Sequence, residues 1–222
     1  MPPHLKLVIA NKNYSSWSMR PWVLLVQAGI AFEEVQLKFT DDGRVAGIEG
    51  LSPTGQVPVL WIDGEPVWDS AAICETVAEL FPAKQLWPLH APARRVARSI
   101  SAEMHAGFRE LRRNLPMNIR SSYPGKGMTD AVRRDVDRVV AIWELCRKRF
   151  GAGGEMLFGA FSCADAMYAP VATRFATYAV ELPPVARQYM QAVLALPSVQ
   201  QWCAGSRAET EFVPADEPYA SR

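Results

Sequence analysis

The sequence predicts an α/β domain followed by an all-α domain, and three observations lead there. Residues 1–82 read strand, helix, strand, then strand, strand, helix. From Ala93 onward apolar residues recur every three to four positions and no further strand signal appears. Between the two lies AKQLWPLHAP, residues 83–92, a stretch with two prolines and no periodicity that reads as a linker. A length of 222 residues suits one large or two small domains.

Leu5 to Ala10 is a short β-rich run, and Asn11 to Ser18 is a polar turn dense in capping residues. Met19 to Gly29 is helical, with Pro21 in the first turn and Gly29 as the stop. Ala31 to Phe39 alternates through Phe32, Val35 and Leu37 as a second strand. Asp41 to Pro53 reads as a loop with room for a short helix. Val57 to Ile62 is a third strand, Asp63-Gly64 a two-residue hairpin, and Glu65 to Trp68 the returning fourth strand. Asp69-Ser70 opens a helix through Ala72, Ile73, Val77 and Leu80, closed by Phe81-Pro82. The first half requires a right-handed parallel crossover and the second half is antiparallel. That order makes a thioredoxin-like, four-stranded mixed sheet.

In the second domain, Ala93–Asn114 carries Val96, Ile100, Met104 and Phe108 on one face, and Thr129–Phe150 carries Val132, Val136, Val139 and Trp143. Helices follow at Ala164–Thr177, Pro184–Ala195 and Ser198–Ala204. The helical domain spans 93–222, and its last stretch, polar and proline-containing, reads as an extended tail.

Composition narrows the function. Hydrophobic residues at 49% and charged residues at 21% are ordinary for a globular protein, which excludes extensive disorder. A net charge of +1 argues against nucleic acid as a partner. No stretch approaches a membrane span and no signal peptide is visible, so the expected setting is cytoplasmic. Cys74, Cys146, Cys163 and Cys203 form no C-x-x-C, and His4, His90 and His105 never pair at helical spacing, so no metal site is expected. No G-x-S-x-G elbow or phosphate loop is present.

Three turns carry chemistry. Val57-Pro58, preceded by Pro53-Thr54-Gly55-Gln56, heads a strand where a cis proline frees the backbone of the residue before it for an extended peptide. Asp69-Ser70 at a helix start offers a hydroxyl, free N–H groups and a positive helix end to a carboxylate, and a carboxylate to an ammonium group; both residues are also ordinary caps. Ser15-Ser16-Trp17-Ser18-Met19-Arg20 lies at the same rim of the sheet. A serine hydroxyl there stabilises the thiolate of a bound peptide: lowering a thiol pKa by about two units takes roughly 2.7 kcal/mol. One charge-assisted hydrogen bond of ~1.5–3 kcal/mol, with a helix end, is enough.

These residues resemble the glutathione S-transferases over nearly the whole chain. The serine-rich loop is similar to the zeta and theta types, matching the zeta pattern S-S-C-x-x-R except that Trp17 replaces its cysteine. Pro53-x-Gly55-x-Val57-Pro58 resembles the cis-proline segment, and Asp69-Ser70 the Glu/Gln-Ser pair that holds the γ-glutamyl group. Phe161-Ser162-Cys163-Ala164-Asp165 is a capping box that nucleates a buried helix, with Asp165 structural.

The resemblance implies glutathione as co-substrate, no metal, a two-fold homodimer, and attack of glutathione thiolate on an electrophilic small molecule. It implies Ser15 or Ser16 at the thiol, the choice between them open, with Tyr14 the alternative hydroxyl. Val57, Pro58, Asp69 and Ser70 hold the tripeptide, and Lys38 or Arg44 its glycine carboxylate. Trp17, Met104, His105, Phe108 and Arg112 line the second-substrate pocket. Two other readings stand beside this one: a cis–trans isomerase of the maleylacetoacetate or maleylpyruvate type, and a non-catalytic glutathione or ligand-binding protein.

Overall fold

A computed structural model describes residues 3–220; residues 1, 2, 221 and 222, which fall in the expected first domain and tail, lie outside the described residues. The first part builds a four-stranded sheet in the order β2-β1-β5-β6. β1 (Leu5–Ile9) runs parallel to β2 (Glu33–Gln36), with Val8 opposite Val35, and antiparallel to β5 (Val59–Ile62), with Leu7 opposite Leu60. β6 (Glu65–Trp68) pairs antiparallel with β5 through Asp63-Gly64, whose φ values of 50° and 92° are those of a type I′ turn. Alternation along β1 divides the sheet's two faces: Leu5, Leu7 and Ile9 enter the main core beneath α1 (Ser16–Gln27) and α2 (Ser70–Leu80). Val8 turns the other way, to join Val59 and Ile48 in a smaller cluster.

Four local expectations are corrected. α1 begins at Ser16 rather than Met19, because Ser15 and not a later serine caps it; Pro21 therefore sits in the second turn. The second strand is split, and residues 41–53 hold no helix. Instead β3 (Lys38–Phe39) and β4 (Val45–Ala46) pair as a two-stranded flap. The linker is shorter than 83–92, since a 3-10 turn occupies Pro82–Lys84 and α3 (Ala91–Ala106) already begins at Ala91. The single helix expected over 93–114 is two: α3 stops at Gly107, and α4 (Arg109–Asn114) starts after Phe108, whose φ is 56°. A Cβ on Gly107 would lie 2.7 Å from the Glu103 carbonyl oxygen, so only glycine fits that close turn. Asp135, on α5 (Asp130–Phe150), accepts from the Leu111 N–H at 2.9 Å and holds the new helix in place.

α6 (Cys163–Thr177) is the central helix of the second part, and every residue of it except Ala176 is buried. Trp143 of α5 packs among Tyr168, Phe175 and Tyr189, and α7 (Pro184–Ala195) and α8 (Pro197–Ala208) close the bundle. α8 is longer than expected, and the residues after it are no loose tail. They run back as a strap across the loop after β1, anchored by buried Val213 and by the Tyr219 hydroxyl, which donates to the Asn114 carbonyl at 2.8 Å.

Candidate active site

The polar turn after β1 is held from several sides. Asn13 is fully buried: its amide donates to Asn118 at 2.9 Å, and its oxygen accepts from the Arg120 N–H at 2.9 Å and the Ser206 hydroxyl at 3.0 Å. Glu209 of the strap accepts from the N–H groups of Lys12 and Asn13 at 2.7 and 3.0 Å. This fixed turn aims the start of α1 at the rim of the sheet.

Ser15 and Ser16 then part company. The Ser15 oxygen accepts from the Ser18 N–H at 3.4 Å as helix cap, and its hydroxyl donates to Ser18 Oγ at 2.7 Å. The Ser16 oxygen accepts from Arg174 Nη2 at 3.1 Å, which leaves its own proton without an acceptor among the described residues. Tyr14 is committed elsewhere, donating to Glu217 at 2.7 Å and accepting from Arg120 at 2.8 Å. Burial, with the Glu217 hydrogen bond, raises its pKa further from any role as a proton source.

Behind the serines lie two buried arginines with no carboxylate partner among the described residues. Arg174 donates to Ser16 and, at 2.8 Å, to the Leu115 carbonyl, and its remaining nitrogen has no acceptor. Arg20 donates at 3.2 Å to the Met167 carbonyl, leaves both terminal nitrogens unpartnered, and stacks 4.0 Å from the Trp17 ring. Burial, with repulsion from Arg174 and Arg112, pulls Arg20 down to about 9; burial takes Arg174 down to about 10. Both remain cationic at neutral pH, and unpaired buried cations favour an anion beside them.

A cleft of about 1030 Å³ opens over Ser15 and Ser16, with Arg44 on the flap, Arg109, Arg112 and Arg113 on α4, and Asp216 on the strap. Burial raises Asp216 to about 6, with Arg174 opposing the shift and Glu217 adding to it. A smaller cavity of about 380 Å³ adjoins it, sharing Trp17, Gln56, Val57 and Arg112, and extends to Pro58, Asp69, Ser70 and His105. The Val57-Pro58 bond is cis. Asp69 has φ 76°, an uncommon backbone for a non-glycine residue and one concentrated at functional turns. Its Oδ1 caps α2 by accepting from the Ala71 N–H at 2.8 Å. The Ser70 hydroxyl is buried with no partner among the described residues.

Of the expected site residues, the structure brings Ser15, Ser16, Trp17, Val57 and Arg112 around the cleft, and Pro58, Asp69 and Ser70 into the adjoining cavity. His105 also faces that cavity, not the larger cleft. Met104 and Phe108 belong to the core and line neither space: Met104 is fully buried among apolar side chains, and the left-handed turn at Phe108 rotates its ring inward. Lys38 lines neither, because it is paired with Glu211 of the strap at 2.8 Å. Arg44 does line the cleft while bonded to Asp42 at 2.7 Å. Arg20, Arg174 and Asp216 were not singled out for a role at the site. An arginine in the apolar run of α6 was a signal for Arg174; nothing local marked Asp216. All four cysteines are free and buried, and burial pushes Cys74 up to about 12, so none offers a thiolate at neutral pH. No cluster of potential metal ligands occurs among the described residues.

Family models for the N-terminal and C-terminal domains of glutathione S-transferases match residues 14–80 and 129–205. The chain belongs to the glutathione S-transferase family. Maleylacetoacetate isomerases of Rattus norvegicus and Mus musculus are each 34% identical over 109 residues, 48% of this chain and 50% of each isomerase. Protein LigF of Sphingobium is 36% identical over 69 residues, 29% of this chain and 26% of that protein. The matches thus span half or less of these curated relatives. Among solved structures, a glutathione transferase homologue from Burkholderia with bound glutathione superposes with TM-score 0.71 at 22% identity, covering 92% of this chain and 99% of that one. The Tau-class transferase of mango, Mangifera indica, gives 0.67 at 18% identity, covering 90% and 92%. These two likenesses establish the glutathione S-transferase fold.

Proposed function

We propose that this protein is a glutathione transferase of the serine type, with Ser16 as the residue that addresses the thiol. The observation that carries this reading is the adjoining pair of cavities. The smaller holds the unpartnered Ser70 hydroxyl, Asp69 and the start of α2, a match for the amino and carboxylate groups of the γ-glutamyl end. The larger begins at Ser16, and Val57 at the cis bond lines both. A tripeptide laid from Asp69-Ser70 past Val57 brings its sulfur toward the Ser16 hydroxyl. The Ser16 proton is donated to the sulfur while Arg174, bonded to the same oxygen, strengthens the donor and adds positive charge. The thiol proton leaves to solvent, and the thiolate attacks an electrophile in the arginine-walled cleft, with proximity supplying much of the acceleration.

The cleft tests the reading. Binding of glutathione should release a proton at neutral pH, and Ser16→Ala should raise the pKa of the bound thiol where Ser15→Ala does not. If neither substitution moves it, the serine mechanism is wrong.

A second reading is a glutathione-dependent maleylacetoacetate-type isomerase. It is favoured by the 34% identity to the two isomerases and by Arg109, Arg112 and Arg113, a wall suited to carboxylate-bearing acceptors. Glutathione-dependent isomerisation of maleylacetoacetate, with no conjugation of neutral electrophiles, would replace the first reading by this one.

We infer a cytoplasmic homodimer. Four free, buried cysteines fit a reducing compartment, and no helix among the described residues is long and apolar enough to cross a membrane. Trp68 and Leu80 are exposed on the sheet domain and Leu145 on the helical domain, apolar surface suited to a partner subunit. Sedimentation analysis distinguishes dimer from monomer.

A further inference from the structure

His105 sits one residue before the end of α3, in the helical domain, and its ring crosses to the sheet domain. His105 Nε2 lies 3.2 Å from Asp69 Oδ2. The other Asp69 oxygen is already engaged as the α2 cap, accepting from the Ala71 N–H at 2.8 Å. One Asp69 oxygen is thus held by the helix cap and the other faces the His105 imidazole at 3.2 Å, and each keeps lone-pair capacity for a further donor. The His105 ring is itself held: Trp17 packs against it edge to face at 5.2 Å, and Trp17 is in turn flanked by the guanidinium groups of Arg20 at 4.0 Å and Arg112 at 5.1 Å. The ring's other nitrogen is buried and has no hydrogen-bond partner among the described residues. Asp69, Ser70, His105 and Trp17 all line the smaller cavity.

We propose that His105 is a positioning residue, which fixes the Asp69 carboxylate to receive the ammonium group of the bound thiol peptide. Selectivity for a ligand with a free α-amino group is then set from the helical domain, across the domain boundary. The proposal rests on the glutathione-site reading given above and adds a residue to it. An amine-bearing ligand donates to both Asp69 oxygens only while the carboxylate keeps the plane that His105 imposes. Released, the carboxylate turns toward solvent and the ammonium meets a single oxygen.

The experiment compares the wild type with His105→Phe, which keeps an aromatic ring beside Trp17 but has no N–H, and with His105→Gln, which restores an amide donor. Each is titrated calorimetrically with glutathione and with the same tripeptide lacking its α-amino group. The expected result is that His105→Phe weakens glutathione about tenfold, the loss of one charge-assisted hydrogen bond. It leaves the deaminated tripeptide unchanged, and His105→Gln recovers most of the difference. In turnover, KM for glutathione should rise with kcat at saturation unaltered. Equal weakening of both ligands, or of neither, would overturn the proposal, the first outcome marking His105 as packing alone. A wild type that binds neither ligand would instead remove the glutathione-site reading, and this proposal with it.

Discussion

Ser15 and Ser16 are adjacent, of the same type and both buried, yet their hydrogen bonds differ. Ser15→Ala removes a helix cap and should cost ~0.5–2 kcal/mol in denaturant unfolding with the bound thiol pKa unchanged. Ser16→Ala should leave stability nearly intact and raise that pKa. Ser70→Ala should raise the Kd for glutathione roughly 10-fold by calorimetry, since it removes the hydroxyl that the smaller cavity leaves without a partner. Asp69 and Ser70 stand out in the sequence because a helix start has a local signature. The sequence did not separate Ser15 from Ser16, since the deciding partner, Arg174, lies 158 residues away on α6. The pairing of Lys38 was hidden for the same reason: a lysine beside a strand looks free until Glu211 arrives from the strap.

Among the elements, α6 depends most on one side chain. Asp165 closes the capping box with Ser162, accepts from the Leu157 N–H at 3.0 Å, and accepts from the Tyr189 hydroxyl at 3.1 Å. Asp165→Ala would orphan buried donors on three segments, each at ~1–3 kcal/mol, beyond the ~0.5–2 kcal/mol of a lost cap. The expected outcome is loss of soluble folded protein or a large fall in the unfolding midpoint, read by circular dichroism. That box was legible because its spacing is fixed. The break between α3 and α4 was not: the apolar face through Met104 and Phe108 continues across it, and only the close approach of Gly107 to Glu103 reveals the stop. The flap β3–β4 was missed because two residues per strand carry no periodicity.

At the scale of the whole molecule, the strap decides whether the cleft has a wall. Arg120 holds it, donating to the carbonyls of Glu209 and Glu211, while Glu217 accepts from the Tyr123 hydroxyl at 2.8 Å. Arg120→Ala should expose residues 209–220 to limited proteolysis well before the helical bundle is cut. Burial raises the Asp216 carboxyl on the strap to about 6, above the ordinary value of 3.8. A raised carboxylate contributes stability that is full below the unfolded value and lost as pH rises through the folded one. Asp216→Asn should therefore unfold at a higher temperature than the wild type at pH above about 6, with the gap shrinking as the pH falls toward about 4. The two-domain plan was readable from pattern alone, but a polar, proline-bearing segment gave no hint that it docks.

The strap has a bearing on the order of assembly. Its anchor on the turn after β1 joins positions 197 residues apart. Sheet hairpins and individual helices form from near neighbours, whereas a contact of that separation is among the last to close. In a refolding reaction followed by hydrogen exchange, amides of α5 and β5 should gain protection before those of Lys12 and Asn13, and glutathione affinity should appear with the later phase.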